Sequence, residues 1–401
     1  MPPAIHEPRP GGSVRGEVDP RFEPLRAAFN RNFSELGDVG AAVCVYYQGR
    51  KVVDLWGGWA DPKAGQPYEE DTLQLVFSST KGMTALCAHI LAEEGKLDLD
   101  SPVAYYWPEF ARAGKGDIPV RWLLSHQAGL PTVDAELSLD EALAWEPVVQ
   151  ALAAQRPYWE PGSAHGYHAL TFGWLVGEVV RRVAGQSIGA FFAERVADPL
   201  GLQTWIGLPE EHEPRVAPLR SAPMPSPDDL DPKTLETFSA FLSGDGLALR
   251  ALSLNGTFGW LSRRGGPFNS RELHAAEVPA ANGITDARSL ARMYAAMIGE
   301  VDGVRLIGPA RVDLARTPAA DGPDRVLLVP SRFGLGFMCH SDFSPLLAPG
   351  SFGHSGAGGS LGFADPESAV AFAYVMNEMR LGLAGDERTV ALLDGLRSSL
   401  T

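Results

Sequence analysis

Two strand-forming stretches stand at opposite ends of the chain, and they constrain the fold more than any other feature. Residues 39–61, VGAAVCVYYQGRKVVDLWGGWAD, carry apolar runs on both sides of Gln48-Gly49, the pattern of a β-hairpin around a glycine turn. Near the other end, FGLGFMCH and GHSGAGGSLGFADPESAVAFAYVMN read as further strands, before a final helix, DERTVALLDGLRSSL. Between them the periodicity is helical. In TLQLVFSSTKGMTALCAHILAEEGKLDL, Met83, Leu86, Cys87, Ile90 and Leu91 recur at helical spacing, and Gly95 stands where a helix stops. VRWLLSHQAGL, YHALTFGWLVGEVVRRVAG and SIGAFFAERVADPLG have the same spacing, and TDARSLARMYAAMIG is a helix with Thr285 as its expected cap. Strands at both ends and helices between them imply one sheet made from the two ends, with the helical part inserted as a second lobe.

The expected class is therefore α/β of the α+β kind, an antiparallel sheet flanked by helices. Residues 1–20 read as a flexible tail, 21–77 and 275–401 as the α/β domain, and 78–218 as the mostly helical domain. Residues 219–274, with clustered prolines and glycines, read as an irregular insertion near the active site. The chain has 401 residues, long enough for a large core, and its 44 glycines and 32 prolines suit a fold with many loops. The formal net charge of −15, without a long basic run, argues against nucleic-acid and anionic-membrane partners. No apolar stretch of about 18 residues is present to span a bilayer. Cys44, Cys87 and Cys339 are isolated and read as small buried hydrophobes, not as metal ligands or disulfide partners. A cytoplasmic setting is expected, with no metal and no cofactor; the oligomeric state is left open.

Three serines compete as nucleophile. Ser187 and Ser360 each lie in a G-x-S-x-G match, but that motif needs a strand, a sharp turn and then a helix. Ser187 falls between two helices, where a glycine stop and a serine cap explain it, and Ser360 is followed by a turn and a strand. The third candidate is Ser78, in Ser78-Ser79-Thr80-Lys81. This is the only S-x-x-K in the chain, although composition alone predicts about 0.4 such matches. Its context adds weight. Three residues apart on a helix, Ser78 and Lys81 share a face. A serine at a helix start has a free backbone N–H that can hold an oxyanion. The positive helix end and burial both disfavour an ammonium, so Lys81 can act as a neutral base. Other constellations are weaker: His165 and His168 form an isolated i, i+3 pair, and Glu210-Glu211-His212-Glu213 reads as a solvated turn. Trp159, Phe172, Trp260 and Phe363 are aromatic candidates for an acyl pocket or for the core.

LVFSSTKGMTA, WEPGSAHGYHALTFGWLVG and FGHSGAGGSLGFADPE, in that order, resemble the three motifs of the serine β-lactamase-like, penicillin-recognising superfamily, and within it the family VIII carboxylesterases. LLSHQAGLP is a further family-like segment, and the likeness spans roughly residues 20 to 400. The resemblance implies Ser78 as the acylated nucleophile, Lys81 as its partner, and Tyr167 as the acid–base that passes protons between serine and leaving group. A nearby ammonium is expected to lower the Tyr167 pKa. The N–H groups of Ser78 and Ala357 would form the oxyanion hole, and His354, Ser355 and Gly356 would contact substrate. Two departures bear on substrate: Ala169 stands where β-lactamases have Asn, and His354 where they have a lysine that holds a carboxylate. Both favour a small neutral ester over β-lactams or D-Ala-D-Ala. The alternatives are a β-lactamase, a D-Ala-D-Ala peptidase or other amide hydrolase, an acyltransferase, and a non-catalytic ligand-binding member. Retention of Ser78, Lys81 and Tyr167 together counts against the last.

Overall fold

The computed structural model describes residues 13–221, 246–259 and 266–401. Its strands are β1 (Arg15–Val18), β2 (Gly40–Tyr47), β3 (Arg50–Asp61), β4 (Ala320–Pro323), β5 (Pro330–Phe333), β6 (Met338–Cys339), β7 (Phe352–Ser355), β8 (Leu361–Asp365) and β9 (Val370–Met376). They form one antiparallel sheet in the order β1-β3-β2-β9-β8-β7-β6-β5-β4. The two ends of the chain meet at its centre, where β2 pairs with β9 from Tyr47 opposite Val370 to Ala41 opposite Met376. Gln48 and Gly49, both at positive φ (51° and 76°), close the β2–β3 hairpin in the conformation that matches the twist of paired strands.

Alternation along these strands sorts their side chains to two faces. On one face, Val43, Val45, Phe372 and Tyr374 pack against α1 (Glu23–Ser34) and the C-terminal helix. Cys44, Tyr46, Ala371, Ala373 and Val375 point to the other face, into the main core. The small residues there let a helix lie close: a Cβ on Gly362 would stand 2.7 Å from the Tyr294 ring.

The principal helices on that second side are α2 (Thr80–Glu93), α3 (Thr171–Ala184) and α4 (Ala287–Ile298); α5 (Glu387–Leu400) closes the first face beside α1. α2 is buried along nearly its whole length, which its apolar sequence requires. The other central segments form shorter helices. VRWLLSHQAGL is helical only over Val120–Leu124, because His126 turns to φ 62°.

Several expectations change. Residues 15–18, read as tail, form edge strand β1 against β3; residues 1–12 lie outside the described part. The α4 cap is Asp286, which accepts from Ser289 N at 2.6 Å, while Thr285 belongs to a short strand paired with Gln74 and Thr204. A lone residue of register separates the two. Within 219–274, residues 222–245 and 260–265 lie outside the described part. Leu247–Ser253 is a helix whose Leu247 and Ala251 pack in one apolar cluster with Tyr167. Among the described residues, no helix is long and apolar enough to cross a membrane.

Candidate active site

Ser78 sits in a single 3-10 turn, Phe77–Ser79, that leads directly into α2. The turn is strained. Phe77 has φ 43°, a region that a bulky residue enters at a cost of about 1–3 kcal/mol. Neighbouring groups hold it there. Ser360 Oγ donates to Val76 O (2.9 Å), Ser79 Oγ donates to His354 O (3.1 Å), and the Phe77 ring packs on Phe268 with centroids 4.8 Å apart. Ser78 occupies the first turn of a helix, where backbone N–H groups have no intrahelical acceptor.

One helical turn on, Lys81 Nζ lies 2.9 Å from Ser78 Oγ. The lysine is fully buried, and Nζ donates to the carbonyls of Ala169 (2.6 Å) and Ala280 (3.0 Å). Burial drives its pKa well below the usual lysine value. Nζ spends two contacts on the carbonyls and its third on the serine hydroxyl, the position that carries the lone pair whenever the amine is neutral. That is the arrangement of a base.

Tyr167 belongs to the loop before α3, with Lys81 Nζ 4.8 Å from its ring centroid. Its hydroxyl interacts with the Ser78 side chain. Burial raises the phenol pKa above its ordinary value; the interaction with Ser78 opposes this, and the charge of Asp324 adds to it. The expected lowering is therefore reversed, because burial of the phenol is the largest influence on it. The ring stacks on Phe333 (5.8 Å, 8° between planes). Below, Asp324 Oδ1 accepts from the N–H groups of Tyr167 (3.1 Å), Val326 and Leu327 (both 2.8 Å), and Ser331 Oγ donates to Oδ2 (2.9 Å).

His354 ends β7 beside them, its ring centroid 6.1 Å from that of Tyr167. Its Nδ1–H donates to Ser355 O (2.7 Å), which leaves Nε2 as an acceptor with no partner among the described residues. Burial, with Lys81 nearby, lowers its pKa to about 3, so the ring is neutral. Ser355 is buried next to it, and Gly356 is obligatory: a Cβ there would lie 2.2 Å from both Ser360 Oγ and Val76 O. The Ala357 N–H donates to no group among the described residues. Ser78, Lys81, Tyr167, His354, Ser355, Gly356 and Ala357 thus converge from three distant parts of the chain.

The rival serines do other things. Ser187 caps the helix Ile188–Phe192, accepting from Ala190 N at 3.3 Å. Ser360 is fully buried and spends its hydroxyl on the nucleophile turn. Among the aromatic candidates, Trp159 joins the Tyr167 cluster and Phe172 lies in the core, 5.9 Å below Lys81 Nζ. Phe363 packs on the far face of the sheet, because β8 alternation turns it away; Trp260 lies outside the described residues.

The roles of four contributors escaped the sequence reading. His126, within LLSHQAGLP, accepts the His168 N–H on Nδ1 (3.1 Å). Its segment stood out, but no spacing tied it to Tyr167. His168 in turn donates from Nδ1 to Gly166 O (2.6 Å) and accepts from Leu130 N (2.9 Å), fixing its tautomer. Asp324 gave no signal that links it to the site, and Ser360, within the third motif, was weighed only as a nucleophile.

The comparisons with known proteins agree with one another. A family model described as Beta-lactamase matches residues 29–396. The Mycobacterium tuberculosis protein described as esterase/beta-lactamase LipL is 39% identical over 93% of this chain and 85% of its own length. A crystal structure of a family VIII carboxylesterase superposes with a TM-score of 0.84 at 36% identity, covering 96% of this chain and all of that one. A penicillin-binding protein homologue from Caulobacter crescentus gives 0.84 at 38% identity with the same coverage.

Proposed function

Because the chain belongs to the Beta-lactamase family, whose model spans it from residue 29 to 396, we propose that it is a serine carboxylesterase acting on small neutral esters in the cytoplasm. The observation that carries this reading is the buried Lys81 amine 2.9 Å from Ser78 Oγ, with two carbonyls taking its N–H bonds.

Ser78 Oγ attacks the ester carbonyl carbon while its proton passes to Lys81 Nζ. The oxyanion is held by the N–H groups of Ser78 and Ala357, each such donor being worth about 10²–10³ in rate. Collapse breaks the carbon–oxygen bond to the alcohol. The departing oxygen takes the Tyr167 proton, and Lys81 returns one to Tyr167. The raised pKa of Tyr167 suits this acid role, since the phenol keeps its proton at neutral pH. Water then attacks the acyl-enzyme by the reverse sequence, releasing the acid and restoring Ser78.

Neutral esters are favoured by what stands at two positions. His354 is uncharged and offers a carboxylate no cation, and the Ala169 methyl offers no amide to a β-lactam side chain. LipL carries both activities in its description, so slow β-lactam opening is a second outcome of the same chemistry.

Hydrolysis of p-nitrophenyl acetate, butyrate and octanoate by the wild type and Ser78→Ala tests the reading. Ester turnover should fall at least about 10³-fold in the variant. Undiminished turnover removes Ser78 as nucleophile, and a chromogenic cephalosporin cleaved faster than every ester makes the protein an amide hydrolase.

A further inference from the structure

The glycine loop that carries the Ala357 N–H rests on a buried ionic cluster far away in sequence. Arg388, in the first turn of α5, is fully buried. Its guanidinium reaches Asp38 Oδ1 (2.9 Å), Asp386 Oδ2 (2.5 Å) and the carbonyls of Glu378 (2.7 Å) and Gly358 (2.7 Å). Tyr374 Oη donates to both oxygens of Asp38 at 2.7 Å.

Gly358 is the residue after Ala357, and its carbonyl accepts from Arg380 N (3.0 Å) as well as from Arg388. The residue before, Gly356, donates its N–H to Ser360 O (2.7 Å). Both neighbours of Ala357 are thus pinned, which fixes the direction of the free N–H between them. Gly359 is shaped to the same cation: a Cβ there would stand 2.6 Å from Arg388 Nη2 and 2.8 Å from Asp386 Oδ2. A loop built of glycines gains no rigidity from its own side chains, since glycine is the residue with most freedom to lose. Its order has to come from outside.

We propose that Arg388 is a positioning residue for the oxyanion hole, holding the Gly356–Gly359 turn so that the Ala357 N–H faces the developing negative charge. The inference rests on the oxyanion role assigned above to Ala357. A buried guanidinium is suited to this. Its planar fork serves two carboxylates and two carbonyls at once, which a lysine cannot do. Removing it leaves Gly358 O with one donor fewer, and the buried Asp38 and the partly buried Asp386 without their counter-charge.

The test compares wild type, Arg388→Lys and Arg388→Met, each first checked for cooperative thermal unfolding. Two quantities are read: kcat and KM with p-nitrophenyl butyrate, and the rate at which a fluorophosphonate probe labels Ser78. A misaligned donor weakens the transition state more than the substrate complex. Arg388→Met should therefore lose about 10–100-fold in kcat with KM within about threefold, and labelling should slow by a similar factor. Arg388→Lys should fall in between. Folded variants with kcat and labelling within twofold of wild type overturn the proposal and leave Arg388 a stabiliser only. If neither variant folds, Asp386→Asn, which weakens one of the guanidinium's partners, decides by the same split. Ser78→Ala separates the two levels: esterase activity or labelling that survives it sinks the nucleophile assignment, whatever Arg388 does. An inactive wild type that still labels at Ser78 sinks the ester reading and leaves labelling to judge the loop.

Discussion

On the helical-lobe side of the cleft, Tyr167 stands among Trp159, Leu247, Ala251, Val326, Leu327 and Phe333, above histidines that burial keeps neutral. On the sheet side, the Gly356–Gly359 turn lies over Arg388, Asp38 and Asp386, where burial works against the guanidinium charge but Tyr374 and the two carboxylates outweigh it. The first wall is ordered by packing and by bases stripped of their protons. The second is ordered by charges that must stay ionised. The chemistry explains the division. The proposed proton transfer between Ser78, Lys81 and Tyr167 is served by a setting without fixed cations, because a nearby positive charge would oppose the transient protonation of Lys81 and pull the phenol toward phenolate. The proposed oxyanion loop would offer only backbone N–H groups, so a charge beneath it would fix geometry without taking part in the proton traffic.

Placing a permanent cation in the neutral wall should give the largest effect. Lys81→Arg keeps a long basic side chain but cannot lose its proton, so kcat/KM for p-nitrophenyl butyrate should fall at least about 10³-fold. A tolerated arginine would break the contrast between the walls. Loosening that wall from below is the next test. Asp324→Ala removes the acceptor shared by the N–H groups of Tyr167, Val326 and Leu327. Activity should drop about 10–100-fold, and stability should fall by roughly 1–3 kcal/mol per donor left unpaired, read by urea unfolding.

Acid should separate the walls by their protonation. His126, His168 and His354 have pKa values well below the usual histidine value, two of them at about 3. The unfolded chain binds these protons below about pH 6.5 and the folded chain does not, so stability is full above that pH and is lost as pH falls. Each histidine should remove about 1.4 kcal/mol per pH unit. Unfolding midpoints measured between pH 7 and 4.5 should decline, and the decline should shrink in His168→Gln; an unchanged slope contradicts the neutral-wall account. The smallest expected effect is Ser360→Ala, which deletes one hydrogen bond to Val76 O beneath the strained Phe77. It should cost about 1 kcal/mol of stability and lower kcat less than about tenfold.

How much of this could be read from the sequence follows the same division. The sheet, α2 and the pairing of Ser78 with Lys81 were legible because they rest on local signals: alternation, helical periodicity and a three-residue spacing. Tyr167 and the His354–Ala357 turn were reached by resemblance alone. Arg388 and Asp324 were not legible, since the partners that tie them to the site, Gly358 and Tyr167, lie 30 and 157 positions away and neither bears a local pattern. The reversal of the Tyr167 shift had the same origin. Its sign is set by burial of the phenol itself, which no local pattern in the sequence announces. Thr285 and Asp286 differ by one position because both residues cap helices well, and only the strand partners of Thr285 choose between them.

The pairing of β2 with β9 at the middle of the sheet has a consequence for how the protein comes into being. Tyr47 and Val370 are neighbours in space, yet 323 residues of synthesis separate them (370 − 47). At about 5–20 residues per second, the first hairpin waits roughly 16–65 s for the strand that completes it. Throughout that time β2 presents an unpaired, strongly apolar edge, the kind of surface on which nascent chains associate wrongly. Arg388 is made later than both strands. A chain synthesised through Ser78 but not yet through Arg388 thus carries the proposed nucleophile without the residue proposed to set its oxyanion turn.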